Sequence, residues 1–217
     1  MDIGQWIVII LSAVLGVWYF IGAIINRRRG MQVFNWLRPG MESTGKLSEA
    51  RWIGSSGSGA RLVVAQAQAP FRRLEAIFLL ESREILPLWL FNHLRGKRDE
   101  IIIKASLRSA PTQELEAARK GEREFQKVVS SDLKKPFELT QSLPGYDIAR
   151  RGKQNNPGFE QFTAFLQANH PAVWRVSVQR QAPHVIVRAN IPDLQKLPAE
   201  EFFGSISELV SGSADGA

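Results

Sequence analysis

Residues 6–25 are twenty consecutive positions without a charge, and Arg27, Arg28 and Arg29 follow at once. At 1.5 Å per residue such a run spans about 30 Å as a helix, the thickness of a bilayer's hydrocarbon core. Only Asp2 is charged before it. A cleaved signal peptide places its basic residues ahead of a shorter apolar stretch and ends at a small-residue cleavage site. Here the basic cluster lies behind the stretch, and Gly22-Ala23 leads straight into Ile24 and Ile25. Residues 1–26 therefore read as an uncleaved single-pass anchor.

Basic residues near a membrane end stay in the cytoplasm. Arg27, Arg28, Arg29 and Arg38 stand on one flank and no basic residue on the other. The expected arrangement is an N-terminus outside the cell membrane and a cytoplasmic remainder. Ser12 and Gly16 form a small-xxx-small pair, which is also ordinary transmembrane composition. Trp18 and Tyr19 sit more than two turns from Arg27, deeper than an aromatic belt usually lies.

The remainder is long enough for one domain or two small ones. Cysteine is absent, so disulfides, thiolate nucleophiles and cysteine-ligated metals are excluded. The net charge is +7. Residues 27–61 hold seven Lys or Arg against two Glu, whereas residues 146–217 hold seven basic and seven acidic side chains. The excess gathers beside the membrane, where anionic lipid of the inner leaflet attracts it. A nucleic-acid surface needs a basic stripe on the folded domain, so nucleic acid is not the expected partner.

Residues 27–50 read as a basic juxtamembrane segment and linker. Met31, Phe34 and Leu37 recur every three residues, as on one helical face; the segment either extends the anchor helix or lies as an interfacial helix, and Pro39-Gly40 ends it. Arg27, Arg28, Arg29, Phe34, Trp36 and Arg38 are the candidate membrane-interface residues. Residues 51–211 read as an α+β domain, a mainly antiparallel sheet under two or three helices. Strands are expected at 51–53, 62–68, 72–81 and 101–109, with a short helix at 84–94. Residues 112–135 are densely charged, and Glu116–Lys120 fits an i,i+4 pair, so a solvated helix or connector is expected.

In the last third, Leu143-Pro144-Gly145 marks a hairpin between 137–141 and 146–151. Phe159, Phe162, Phe165 and Leu166 make a helical stripe over 159–169. Strands follow at 173–181 and 185–191, then an amphipathic helix at 199–210 and a small-residue tail at 212–217, expected to be disordered. Gln66-Ala67-Gln68-Ala69-Pro70 echoes Gln179-Arg180-Gln181-Ala182-Pro183, a faint sign of a duplicated β-β-α-β unit in halves 51–111 and 136–211; chance similarity of hairpins is the favoured account.

The Gly/Ser run at 54–59 is followed by Ala60-Arg61-Leu62, so it lacks the Lys-Ser/Thr of a phosphate loop, and it does not fit the Gly-x-Ser-x-Gly elbow. It reads as a hairpin loop. His93, His170 and His184 have no metal-ligand spacing, and Asp147, Asp193, Glu200 and Glu201 sit at element ends. No catalytic residue, cofactor or metal is implied. Residues 85–91 with Arg95, Lys97 and Arg98 behind them suit either core packing or docking on a membrane or partner. Trp89, Phe91, Arg95, Lys97 and Arg98 are the candidate contacts. The expected role is binding or scaffolding in a membrane-associated assembly with a protein partner. The alternatives are a membrane-tethered hydrolase or transferase, or a sensor of lipid or a small ligand.

Overall fold

The computed structural model describes every residue except 1, 123–124, 128, 130–136, 152–156 and 215–217. Its first element is one uninterrupted helix, α1 (Ile3–Glu42). Asp2 caps it: its carboxylate accepts the Gln5 backbone N–H at 2.8 Å, and the Gln5 side chain accepts the Asp2 N–H at 3.2 Å. The N-terminal half of α1 is long and apolar enough to cross a membrane.

The expected end at Pro39-Gly40 is absent: the segment extends the anchor helix, and residues 41–42 belong to α1, not to the linker. Val33, Leu37 and Met41 are fully buried in the core of the domain. An interior proline costs a helix about 3 kcal/mol. Burying each of those large side chains contributes about 1.5–3 kcal/mol, so packing wins. The face of α1 turned to the domain is Gly22, Asn26, Gly30, Val33, Leu37 and Gly40, at steps of four and three.

Nine strands form one sheet: β1 (Glu49–Trp52), β2 (Gly59–Val64), β3 (Phe71–Leu79), β4 (Glu100–Leu107), β5 (Glu114–Arg119), β6 (Glu138–Leu143), β7 (Tyr146–Arg151), β8 (Val173–Val178) and β9 (Val185–Asn190). Their order is β1-β2-β3-β4-β9-β8-β5-β7-β6, and all neighbours are antiparallel. The further helices whose residues are all described are α2 (Leu86–Leu94), α3 (Pro157–Ala168), the one-turn α4 (Ile191–Leu194) and α5 (Ala199–Ala214).

Strands alternate between two faces. On β4, Ile101, Ile103 and Ala105 are buried, as are Val185, Val187 and Ala189 on β9. They form one cluster with Leu37 of α1, Phe162 of α3 and Phe202 and Ile206 of α5. The lower half of α1, α3 and α5 thus cover one face. The α+β expectation holds in this form.

Two readings need correction, and the duplicated unit is not shown. Residues 114–119 are strand β5, not part of a solvated helix; Leu115, Ala117 and Ala118 are buried, and Glu116 pairs with Arg175 instead of Lys120. Positions 212–214 belong to α5, while 215–217 lie outside the described residues. The two halves pair their strands differently: β3 lies directly beside β4, whereas β5 stands between β7 and β8.

Candidate functional site

Two regions carry chemistry outside the core. The first is where α1 meets the segment from Glu81 to Asp99. Asn26 is 1% exposed. Its amide donates to the Glu81 carbonyl and to the Glu84 carboxylate, both at 2.8 Å, and accepts from Arg83 at 2.9 Å. Arg83 also bonds Asp99 at 2.8 Å, and Arg29 lies 3.6 Å from the same carboxylate. Asp99 accepts the Glu81 backbone N–H at 2.9 Å. The buried Asp99 carboxylate thus has two guanidinium groups and a backbone donor around it, as burial requires.

Two turns further into the apolar half, the Trp18 indole donates to the Arg83 carbonyl at 2.8 Å and packs on Trp89 of α2 at 5.7 Å. Gly22 lies against the same backbone: a Cβ there would meet the Arg83 carbonyl oxygen at 2.5 Å. The helix α2 is thereby docked on the membrane-length part of α1, not on the sheet. Core packing, the plainer reading of residues 85–91, does not describe it, since none of α2 is buried.

The candidate residues separate accordingly. Arg27 and Arg28 are exposed, and Arg29 joins the Asp99 cluster. Phe34 stacks on Trp52 at 5.0 Å, and Trp36 donates to the Leu197 carbonyl at 2.9 Å, so both hold the domain onto α1. Arg38 pairs with Glu42. Trp89 faces Trp18, whereas Phe91, Arg95, Lys97 and Arg98 are exposed, with the Arg95 guanidinium 4.3 Å above the Phe91 ring.

The second region is the face of the sheet opposite the helices. It carries a lattice of cross-strand ion pairs: Arg61–Glu75 at 2.8 Å, Arg188–Glu100 at 3.1 Å, Arg175–Glu116 at 2.7 Å and Arg151–Glu114 at 3.0 Å. Phe125, Val129 and Phe137 pack against Ala118 and Ala149 and cap one end of this face. Beside the cap lies a cavity of about 460 Å³, lined by Lys104, Glu114, Glu116, Phe137, Arg151 and Arg175 among others. Glu116 is 2% exposed; burial pushes its carboxyl pKa up, opposed by bonds from Ser177 and Arg175. At Glu75 the Arg61 hydrogen bond prevails and holds the carboxyl below its usual range.

None of these pocket residues stands out in the sequence as a site. Their one trace is the alternation of Arg175, Ser177 and Gln179 with apolar neighbours. The Gly/Ser run is the β1–β2 hairpin loop, and it packs against α1: a Cβ on Gly57 would lie 3.2 Å from the Asn26 side chain. The three histidines are dispersed. His93 stacks on Trp89, His170 meets the Tyr146 ring edge-on, and His184 accepts the Leu107 backbone N–H at 2.9 Å. Among the described residues no group of three His, Asp or Glu side chains is arranged to hold a metal ion. No protein-family model matches this chain, and no curated protein matches it significantly.

Proposed function

We propose that the chain is a single-pass membrane protein that holds a cytoplasmic binding domain at a set attitude to the bilayer and offers its charged sheet face to a protein partner. The observation that carries this reading is the continuity of α1. The helix whose first half has the length and composition of a membrane span supplies Val33, Leu37 and Met41 to the core of the domain. A flexible tether would merely keep a domain nearby; a shared helix fixes which side looks away from the membrane. The arginine flank and the inner leaflet's anionic lipid favour a cytoplasmic domain. The sheet-face cations are interleaved with carboxylates, which suits a protein surface of mixed charge better than a nucleic acid.

A second reading has its own support. The sheet-face cavity falls within the volume range of small-ligand sites, and it contains a buried carboxyl with a raised pKa. A small-ligand sensor or a tethered enzyme would use that cavity.

Affinity purification of the full-length chain from detergent extracts tests the first reading. Co-purification of a partner that is lost in an Arg188→Glu variant supports it. Recovery of the chain alone as a monomer counts against it. Extraction of the chain from membranes by alkaline carbonate would remove the anchor on which both readings stand.

A further inference from the structure

The helix α2 is apolar without a core to serve. None of its nine residues is buried. Ile85, Leu88, Leu90, Phe91 and Leu94 are 43–78% exposed, with Leu94 the highest. Contiguous exposed apolar surface of this kind marks a partner or a membrane. Its place on α1 identifies which. Trp89 rests on Trp18, and Arg83 at its approach closes on Gly22. Both contacts fall within the apolar run that precedes Arg27. At the same height on α1, Ile21, Ile24 and Ile25 are 45–53% exposed. The apolar surface of α2 therefore continues that of the spanning helix.

Charge follows the same boundary. No acidic residue occupies the first turn of α2, while Arg95, Lys97 and Arg98 cluster behind its last turn and are all exposed, like Arg27 and Arg28. Such cations reach lipid headgroups while the adjoining apolar side chains stay in the acyl region. The Asn26–Arg83–Asp99 network lies on the domain side of Trp18, where polar groups would meet the headgroup layer.

We propose that α2 is a monotopic helix lying in the cytoplasmic leaflet, with Leu90, Phe91 and Leu94 in the acyl region and Arg95, Lys97 and Arg98 among anionic headgroups. This rests on the reading that α1 crosses the membrane. It places the bilayer boundary between Trp18 and Asn26, which puts Trp18 and Trp89 in the aromatic belt. The hydrocarbon span of α1 is then roughly residues 3–21, about 28 Å.

The chain has no cysteine, so a single introduced thiol is a unique label. Full-length Ile10→Cys, Leu90→Cys, Leu94→Cys and Lys46→Cys variants would be labelled with bimane in phosphatidylcholine–phosphatidylglycerol nanodiscs. Each is then quenched by iodide in water or by spin-labelled lipid. Leu90→Cys and Leu94→Cys should behave like Ile10→Cys: quenched by lipid, and several-fold less by iodide than Lys46→Cys. Iodide quenching at both α2 positions with Ile10→Cys in lipid overturns the inference alone. Protection of both α2 positions from both quenchers means a protein or a second copy covers the helix, and also overturns it. Iodide quenching of Ile10→Cys overturns the membrane reading itself.

Discussion

Gly30 of α1 rests so closely on the backbone of Ser56 that a Cβ at this position would stand 1.8 Å from the Ser56 carbonyl oxygen. Together with Gly57 against Asn26, this approach seats the β1–β2 loop on the helix. It explains a glycine immediately behind three arginines.

Gly30→Ala should therefore force α1 and the loop apart. Overpacking a close contact typically costs about 1–3 kcal/mol. Thermal unfolding of the detergent-solubilised chain should show a lowered midpoint. Gly16→Ala is the control, because no atom lies within 4 Å of a Cβ built there, and it should leave the midpoint unchanged. Equal effects of the two substitutions would remove the packing role of Gly30.

Truncation should separate the two halves of α1. Removing residues 2–21 leaves Val33, Leu37 and Met41 in place, so the remainder should fold and show a cooperative transition by circular dichroism. Removing residues 2–42 strips these three fully buried side chains from the core, at about 1.5–3 kcal/mol each. That loss is comparable with the whole stability of an ordinary domain. The shorter chain should be insoluble or lack a transition. A well-folded product would mean the second half of α1 is dispensable.

Glu116 and Arg175 should be strongly coupled. Their side chains are 3% and 15% exposed, and removing one partner of a buried pair costs roughly 3–5 kcal/mol. Glu116→Leu and Arg175→Met should each lower stability markedly in urea titrations. The double variant should be less destabilised than the sum of the two, since it leaves neither charge without the other. Additive losses would show that the pair acts as two independent groups.

His184 should make stability depend on mild acid. Its Nδ1 accepts the Leu107 N–H, and burial lowers its pKa from the usual 6.5. The folded state thus binds fewer protons than the unfolded state between the two values. Stability should be full above the unfolded pKa and decline as pH falls through the folded one. Unfolding midpoints at pH 7.5 and 5.5 should differ more for the native chain than for His184→Gln. An unchanged difference would assign the acid sensitivity elsewhere.

The apolar segment and most of the strands were legible because hydrophobic periodicity is local. The period of Met31, Phe34 and Leu37 allows α1 to continue past the arginines, but its packing into the domain core was not legible. Its contact stripe uses Gly22, Asn26, Gly30 and Gly40, which carry no apolar signal and act through close approach and hydrogen bonds. Strand β5 was hidden for a different reason. Glu114, Glu116 and Arg119 among alanines favour a helix by intrinsic propensity. Arg151 and Arg175, distant in sequence, supply the cross-strand partners that make it a strand. The sheet-face pocket depends on that non-local pairing, so its lining could not be assembled from neighbours in the chain.

Because α1 runs unbroken from Ile3 to Glu42, it has no swivel between its apolar half and the sheet. Where that half spans a membrane, as proposed, a torque applied to it by a neighbouring span or by a change in thickness must turn the nine strands through the same angle. The charged face would then sweep round with it as a vane follows its shaft.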